Sequence, residues 1–192
     1  MRLQPIDHPR SILLRVAYFF SKRQFGTVLA ALRFIYARSV PIMMASLKIV
    51  STEKKLHLPQ QTRILIRYFT SHLNECPFCS NLIEYAAQKE SVALQQLKEV
   101  LNFRNSQHFN EKEKSLLTYL EEVNLTRNVS DDTFQNLKRH FSETEIVEIT
   151  WINATENYFN FMAKPLGLRS DQLQYKSAKM EPLKEKRTGP LV

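Results

Sequence analysis

The chain has 192 residues, 43% hydrophobic and 24% charged, with 27 Lys/Arg against 19 Asp/Glu and a net charge of +8. That length suits one domain, and that composition excludes a wholly disordered chain. Three unclustered glycines exclude Rossmann and P-loop phosphate cradles. With no Asn-Gly or Asp-Gly turn and abundant Leu, Ala, Glu, Lys and Gln, the chain reads as all-α.

Met1–Pro9, holding Pro5 and Pro9, reads as an extended arm. From Ser11, placed to cap, Ile12, Leu13, Val16, Phe19 and Phe20 recur at helical spacing, and the pattern continues over Phe25–Tyr36. Pro41 opens a third helical run to Val50, and Lys54–Pro59 is a polar break. Thr62–Leu73 carries an apolar stripe of Ile64, Leu65, Tyr68 and Phe69. Pro77 marks another start, because proline suits the first helical position, and this helix runs to Lys89. Helices over Val92–Asn102, Glu111–Val123 and Ser130–His140 follow. Ser142 with Glu145 is a capping box that opens a long helix to Lys164, ended by Pro165 and Gly167. The expected organisation is one domain over residues 1–167 and a basic, partly ordered tail over 168–192.

Charge is unevenly placed: the first 55 residues carry ten Lys/Arg against Asp7 and Glu53, while 56–163 carry ten against fourteen acids. An acidic middle between basic ends suits contacts within the chain or between subunits. The basic, aromatic stretch Arg15–Arg38 needs its apolar residues for packing, so neither nucleic acid nor a membrane is an expected partner. No run of 18 apolar residues occurs. Ser11–Ala37 lacks a secretory cleavage pattern, so a reducing cytoplasm is the expected location; its Arg-rich, acid-poor composition leaves an organelle transit peptide as the alternative. Asn124, Asn128 and Asn153 begin glycosylation-type triplets, read as chance without a signal peptide.

The reaction chemistry in the sequence is concentrated in Cys76-Pro77-Phe78-Cys79. This spacing brings two sulfurs within disulfide reach on a first helical turn. Free N–H groups and the positive dipole end of a helix start lower a thiol pKa, so one sulfur can attack a peroxide or disulfide and the other resolve the product. The bland alternative is a pair of inert small hydrophobes. A zinc site through His72, Cys76 and Cys79 lacks a fourth ligand at suitable spacing among His57, His108 and His140, and Pro77 breaks the helix it needs. No metal and no cofactor are expected.

Several stretches together resemble the carboxymuconolactone decarboxylase and alkylhydroperoxidase D superfamily, in its peroxidase-related branch. They are Arg63–Cys79 (RILIRYFTSHLNECPFC), Glu111–Val123 (EKEKSLLTYLEEV), Phe141–Ile149 (FSETEIVEI), and Asn157–Asn160 followed by Pro165–Leu168. The resemblance implies an all-α bundle that forms a homo-oligomer (dimer, trimer or hexamer) through helical hairpins. It also implies hydroperoxide-reducing or thiol–disulfide chemistry in antioxidant defence, with Cys79 attacking, Cys76 resolving and a thiol reductant closing the cycle. The family's relay glutamate and histidine fall on Ile64 and Ile83, which weakens that expectation. Glu75, where the family carries glycine, and His72 are the supporting candidates. The alternatives are a non-catalytic or redox-sensing scaffold of the same fold, or a decarboxylase-like enzyme.

Overall fold

Side-chain caps open four helices in the computed structural model, which describes residues 1–90 and 94–173. Among the described residues nine α-helices occur and no strand. They are α1 (Ile12–Phe25), α2 (Ala30–Phe34), α3 (Val40–Glu53), α4 (Gln60–Leu73), α5 (Pro77–Lys89), α6 (Leu94–Lys98), α7 (Glu111–Thr126), α8 (Asp131–Lys138) and α9 (Glu143–Ala163). Single 3-10 turns lie at Tyr36–Arg38 and Val100–Asn102. The α9 capping box forms as expected: Ser142 Oγ accepts from Glu145 N, and the Glu145 carboxylate accepts from Ser142 N. A second box, Asn110 with Glu113, opens α7, and Ser130 caps α8. Each such cap contributes about 1 kcal/mol to its helix.

Two expected helices differ. The run over Phe25–Tyr36 is interrupted, because Gly26 adopts the left-handed conformation (φ 69°) and ends α1. Ser21 fixes the turn by donating to Thr27 O at 2.9 Å and accepting from Leu29 N at 3.0 Å. The run over Val92–Asn102 holds α6 and a 3-10 turn, while residues 91–93 lie outside the described residues. Ser11 precedes α1 without a side-chain cap bond. Of the tail expected over 168–192, residues 174–192 lie outside the described residues. Leu168 and Leu173 are buried, and Leu173 N donates to Asn81 Oδ1.

The main core lies between α4, α7 and α9, where Ile66, Phe69, Leu116, Leu117, Leu120, Ile149 and Ile152 lose essentially all contact with water. Phe69 meets Phe103 edge-on, ring centroids 5.8 Å apart. A second, smaller cluster joins Ala30, Phe34, Ile35, Ala163 and Leu168 to Cys76, Phe78 and Cys79. The N-terminal arm runs over it, with Arg2 N donating to Leu166 O and Ile6 N to Arg33 O. No described helix is long and apolar enough to cross a membrane.

Candidate redox site

The end of α4 and the start of α5 share three residues of connection, and their hydrogen bonds place the cysteines. Glu75 N donates to His72 O, and Cys76 N donates to Ser71 O at 2.9 Å. This paired pattern is a Schellman motif, whose pivot residue must be left-handed. The pivot is Glu75, with φ 49°. A side chain there carries a backbone cost of about 1 kcal/mol that glycine would avoid. Cys76 therefore closes one helix and caps the next, with Pro77 in the first helical turn. Cap residue and third helical residue are the positions whose side chains approach each other at a helix start. Here those residues are Cys76 and Cys79, joined as a disulfide with Cα atoms 5.4 Å apart. No acidic residue lies in the first turn of α5 to oppose the dipole.

The supporting candidates occupy other positions. The Glu75 carboxylate is 83% exposed and pairs with Lys164 Nζ at 3.1 Å. His72 Nδ1 lies 3.0 Å from Tyr68 O and 3.3 Å from Ser80 Oγ, with its ring against Tyr68. Ile64 and Ile83 are buried in the main core, so the relay positions implied by the resemblance are apolar in space as well as in sequence. Tyr68 donates to Glu84 Oε1; burial and that carboxylate push its phenol well above the usual range.

A cavity of about 460 Å³ opens between α1, α3 and α5, and Cys79 is part of its wall. Leu13, Phe20, Met43, Leu47, Leu82 and Phe159 represent its mostly apolar lining. Besides Cys79, the titratable groups lining it are Tyr36, Arg67 and Glu156. Burial raises the Tyr36 phenol, opposed by a hydrogen bond with Ser46. Glu156 is 1% exposed, with Oε1 accepting from Ser71 Oγ and Asn160 Nδ2 at 2.7 Å each and Oε2 from Arg67 Nε at 2.9 Å. Burial works against the Arg67 charge, but Glu156 and Glu53 more than offset it. The polar file continues down α9: Asn74 Nδ2 donates to Asn157 and Asn160, and Asn157 Nδ2 to Asn124.

Arg67 and Glu156 escape a reading by sequence because they lie 89 residues apart. One signal is present nonetheless: Asn153, Glu156, Asn157 and Asn160 form a polar stripe at helical spacing on α9. The Asn124 and Asn153 amides bond each other at 2.8 Å and are buried, so neither is open to glycosylation in the folded chain.

No protein-family model matches the sequence. The uncharacterised protein YdfG of Bacillus subtilis is 24% identical over 119 residues, 61% of this chain and 81% of that protein. A crystal structure from Agrobacterium tumefaciens, of unknown function but with an antioxidant defence role (AhpD) suggested for it, is 25% identical at a TM-score of 0.67. It covers 71% of this chain and 96% of its own. The fold is alkylhydroperoxidase D-like. The debrominase Bmp8, solved with 2,3,4-tribromopyrrole, shares the fold at a TM-score of 0.76 with 16% identity, covering 94% of this chain and 98% of its own. The alkylhydroperoxidase D-like chain thus carries a disulfide-bonded cysteine pair at the start of α5, and its two relay positions hold isoleucine.

Proposed function

We propose that this chain is a thiol–disulfide oxidoreductase that reduces organic hydroperoxides, working as a homo-oligomer in the cytoplasm. The observation that carries the reading is the joined pair Cys76–Cys79 at a helix start, with Cys79 in the wall of an apolar cavity that Cys76 does not line. In the reduced chain the Cys79 thiolate attacks the distal oxygen of the hydroperoxide. The O–O bond breaks, the alkoxide takes a proton to leave as an alcohol, and Cys79 becomes a sulfenic acid. The Cys76 thiol then displaces hydroxide from that sulfur, releasing water and closing the disulfide. A dithiol reductant returns both cysteines by exchange and is itself oxidised. A redox-sensing scaffold that does not turn over is the second reading, favoured by Ile64 and Ile83 at the relay positions.

Turnover of cumene hydroperoxide with dithiothreitol separates these readings. The wild-type chain is expected to consume peroxide, Cys79→Ser to consume none, and Cys76→Ser to stop at a sulfenic acid that dimedone captures. A disulfide that forms without turnover supports the sensing scaffold. Turnover indifferent to both substitutions removes the thiol mechanism.

A further inference from the structure

With isoleucine at both relay positions, the chain needs another source of thiolate stabilisation if Cys79 is to react near neutral pH. The cavity wall that contains Cys79 also contains one ion pair, the partly exposed Arg67 with the buried Glu156. Such a pair costs desolvation that apolar residues of similar volume would avoid, so it is a poor device for stability alone. Its anchors are shared with the cysteine turn. Ser71 donates its hydroxyl to Glu156 and accepts the Cys76 N–H on its carbonyl. Asn160 donates to Glu156 and accepts from Asn74, the last residue before the left-handed pivot. The same two residues therefore register the guanidinium, through Glu156, and the sulfur-bearing turn against each other.

We propose that Arg67 is the cation that stabilises the Cys79 thiolate, held at the cavity wall by Glu156, Ser71 and Asn160. This rests on the thiol chemistry proposed above and supplies its activating group. The step is an ionisation: the S–H bond breaks, its electron pair stays on Cys79 Sγ, and the proton passes to water, since arginine takes none. Other charges around the turn are already committed. Glu156 is saturated by Ser71, Asn160 and Arg67; Glu53 lies 3.9 Å from Arg67 Nη1; Glu75 and Lys164 pair with each other. His72 bonds Tyr68 O and Ser80, and Tyr36 is neutral at physiological pH. Arg67 and Glu156 act as positioning residues here, not as proton carriers.

The test is the rate of iodoacetamide alkylation of the reduced full chain against pH, which needs no peroxide turnover. Arg67→Met is expected to raise the apparent pKa of the faster thiol by about one unit, leaving about tenfold less thiolate near neutral pH. Arg67→Lys keeps the charge and is expected to retain most of the wild-type profile. Because Arg67→Met strands a buried carboxylate, the double variant Arg67→Met/Glu156→Met removes both charges and is expected to show a smaller rise in pKa in a folded chain. An unchanged thiol pKa in both Met variants overturns the proposal. A wild-type chain that fails to turn over hydroperoxide but shows the Arg67-dependent pKa overturns the enzymatic reading and leaves this one standing.

Discussion

The α4–α7–α9 core and the α1–α3 layer are both rich in apolar side chains and bury them to opposite degrees. In the first, Leu116, Leu117, Leu120, Ile149 and Ile152 are sealed, and the polar file from Asn124 to Glu156 is paired throughout. In the second, α1 buries only Leu14, Tyr18 and Ser21, while Ile12, Phe19 and Phe20 stand 78%, 62% and 59% exposed. On α3, Leu47 and Val50 are likewise exposed although they face the cavity. An amphipathic helix normally turns such residues inward. The difference teaches a division of labour: the core fixes where α4 ends and α5 begins, and the layer supplies walls to the space beside Cys79. An exposed apolar face of this kind marks a surface meant for another molecule, and a second copy is the occupant that the proposed homo-oligomer supplies.

The sharpest way to break this comparison is inside the core. Leu120→Ala removes a fully buried side chain between α7 and its neighbours and is expected to cost about 2–5 kcal/mol, read from the urea midpoint. A loss below about 1 kcal/mol would mean that the site refills, and the core would lose its claim to rigidity. Glu148 tests how that core is tied to the start of α4. Its carboxylate accepts from His57 N and Leu58 N at 2.9 Å each and lies 2.7 Å from His57 Nδ1. Burial raises its pKa, but the hydrogen bonds from His57 and Leu58 outweigh burial and hold it below the usual value.

A depressed folded pKa contributes stability above the unfolded value, about 4.3, and that stability is lost as pH falls through the folded pKa. Glu148→Gln is therefore expected to cost about 2 kcal/mol at neutral pH. The gap to wild type should shrink once the medium is more acidic than that carboxyl. Urea midpoints of both chains at neutral and acid pH decide it. A gap constant with pH would show that shape, and not charge, makes the Glu148 contacts.

The legible parts of the fold are the ones encoded locally. The Ser142–Glu145 capping box and Pro77 place α9 and α5 within a residue or so of their observed starts, and the cysteine pair is readable because cap and third residue are neighbours in the chain. Phe25–Tyr36 misleads because the apolar spacing runs on across Gly26, where a single left-handed residue redirects the chain. Arg67 and Glu156 are illegible for a different reason. Each sits on a helix whose pattern is satisfied without it, and only the packing of α4 on α9 brings them together at the cavity. Glu75 stands between these cases: its position before Cys76 is plain, while its outward carboxylate follows from the left-handed pivot and the Lys164 contact.

The smallest expected stability effect belongs to the other side of the comparison. Phe20 lies on α1, 59% exposed, at the rim of the cavity. Replacing it by serine removes a large apolar surface that water already touches, so the monomer should lose no more than about 0.5 kcal/mol. If a second copy covers α1, the same change removes a buried aromatic anchor from the interface, and such anchors dominate association. Sedimentation of wild type and Phe20→Ser across a dilution series is expected to show the variant dissociating at higher protein concentration, with its unfolding midpoint in the monomer range almost unmoved. Should Phe20→Ser destabilise the monomer as much as Leu120→Ala, α1 would be core like α7, and the cavity beside Cys79 would be closed packing instead of a space for substrate.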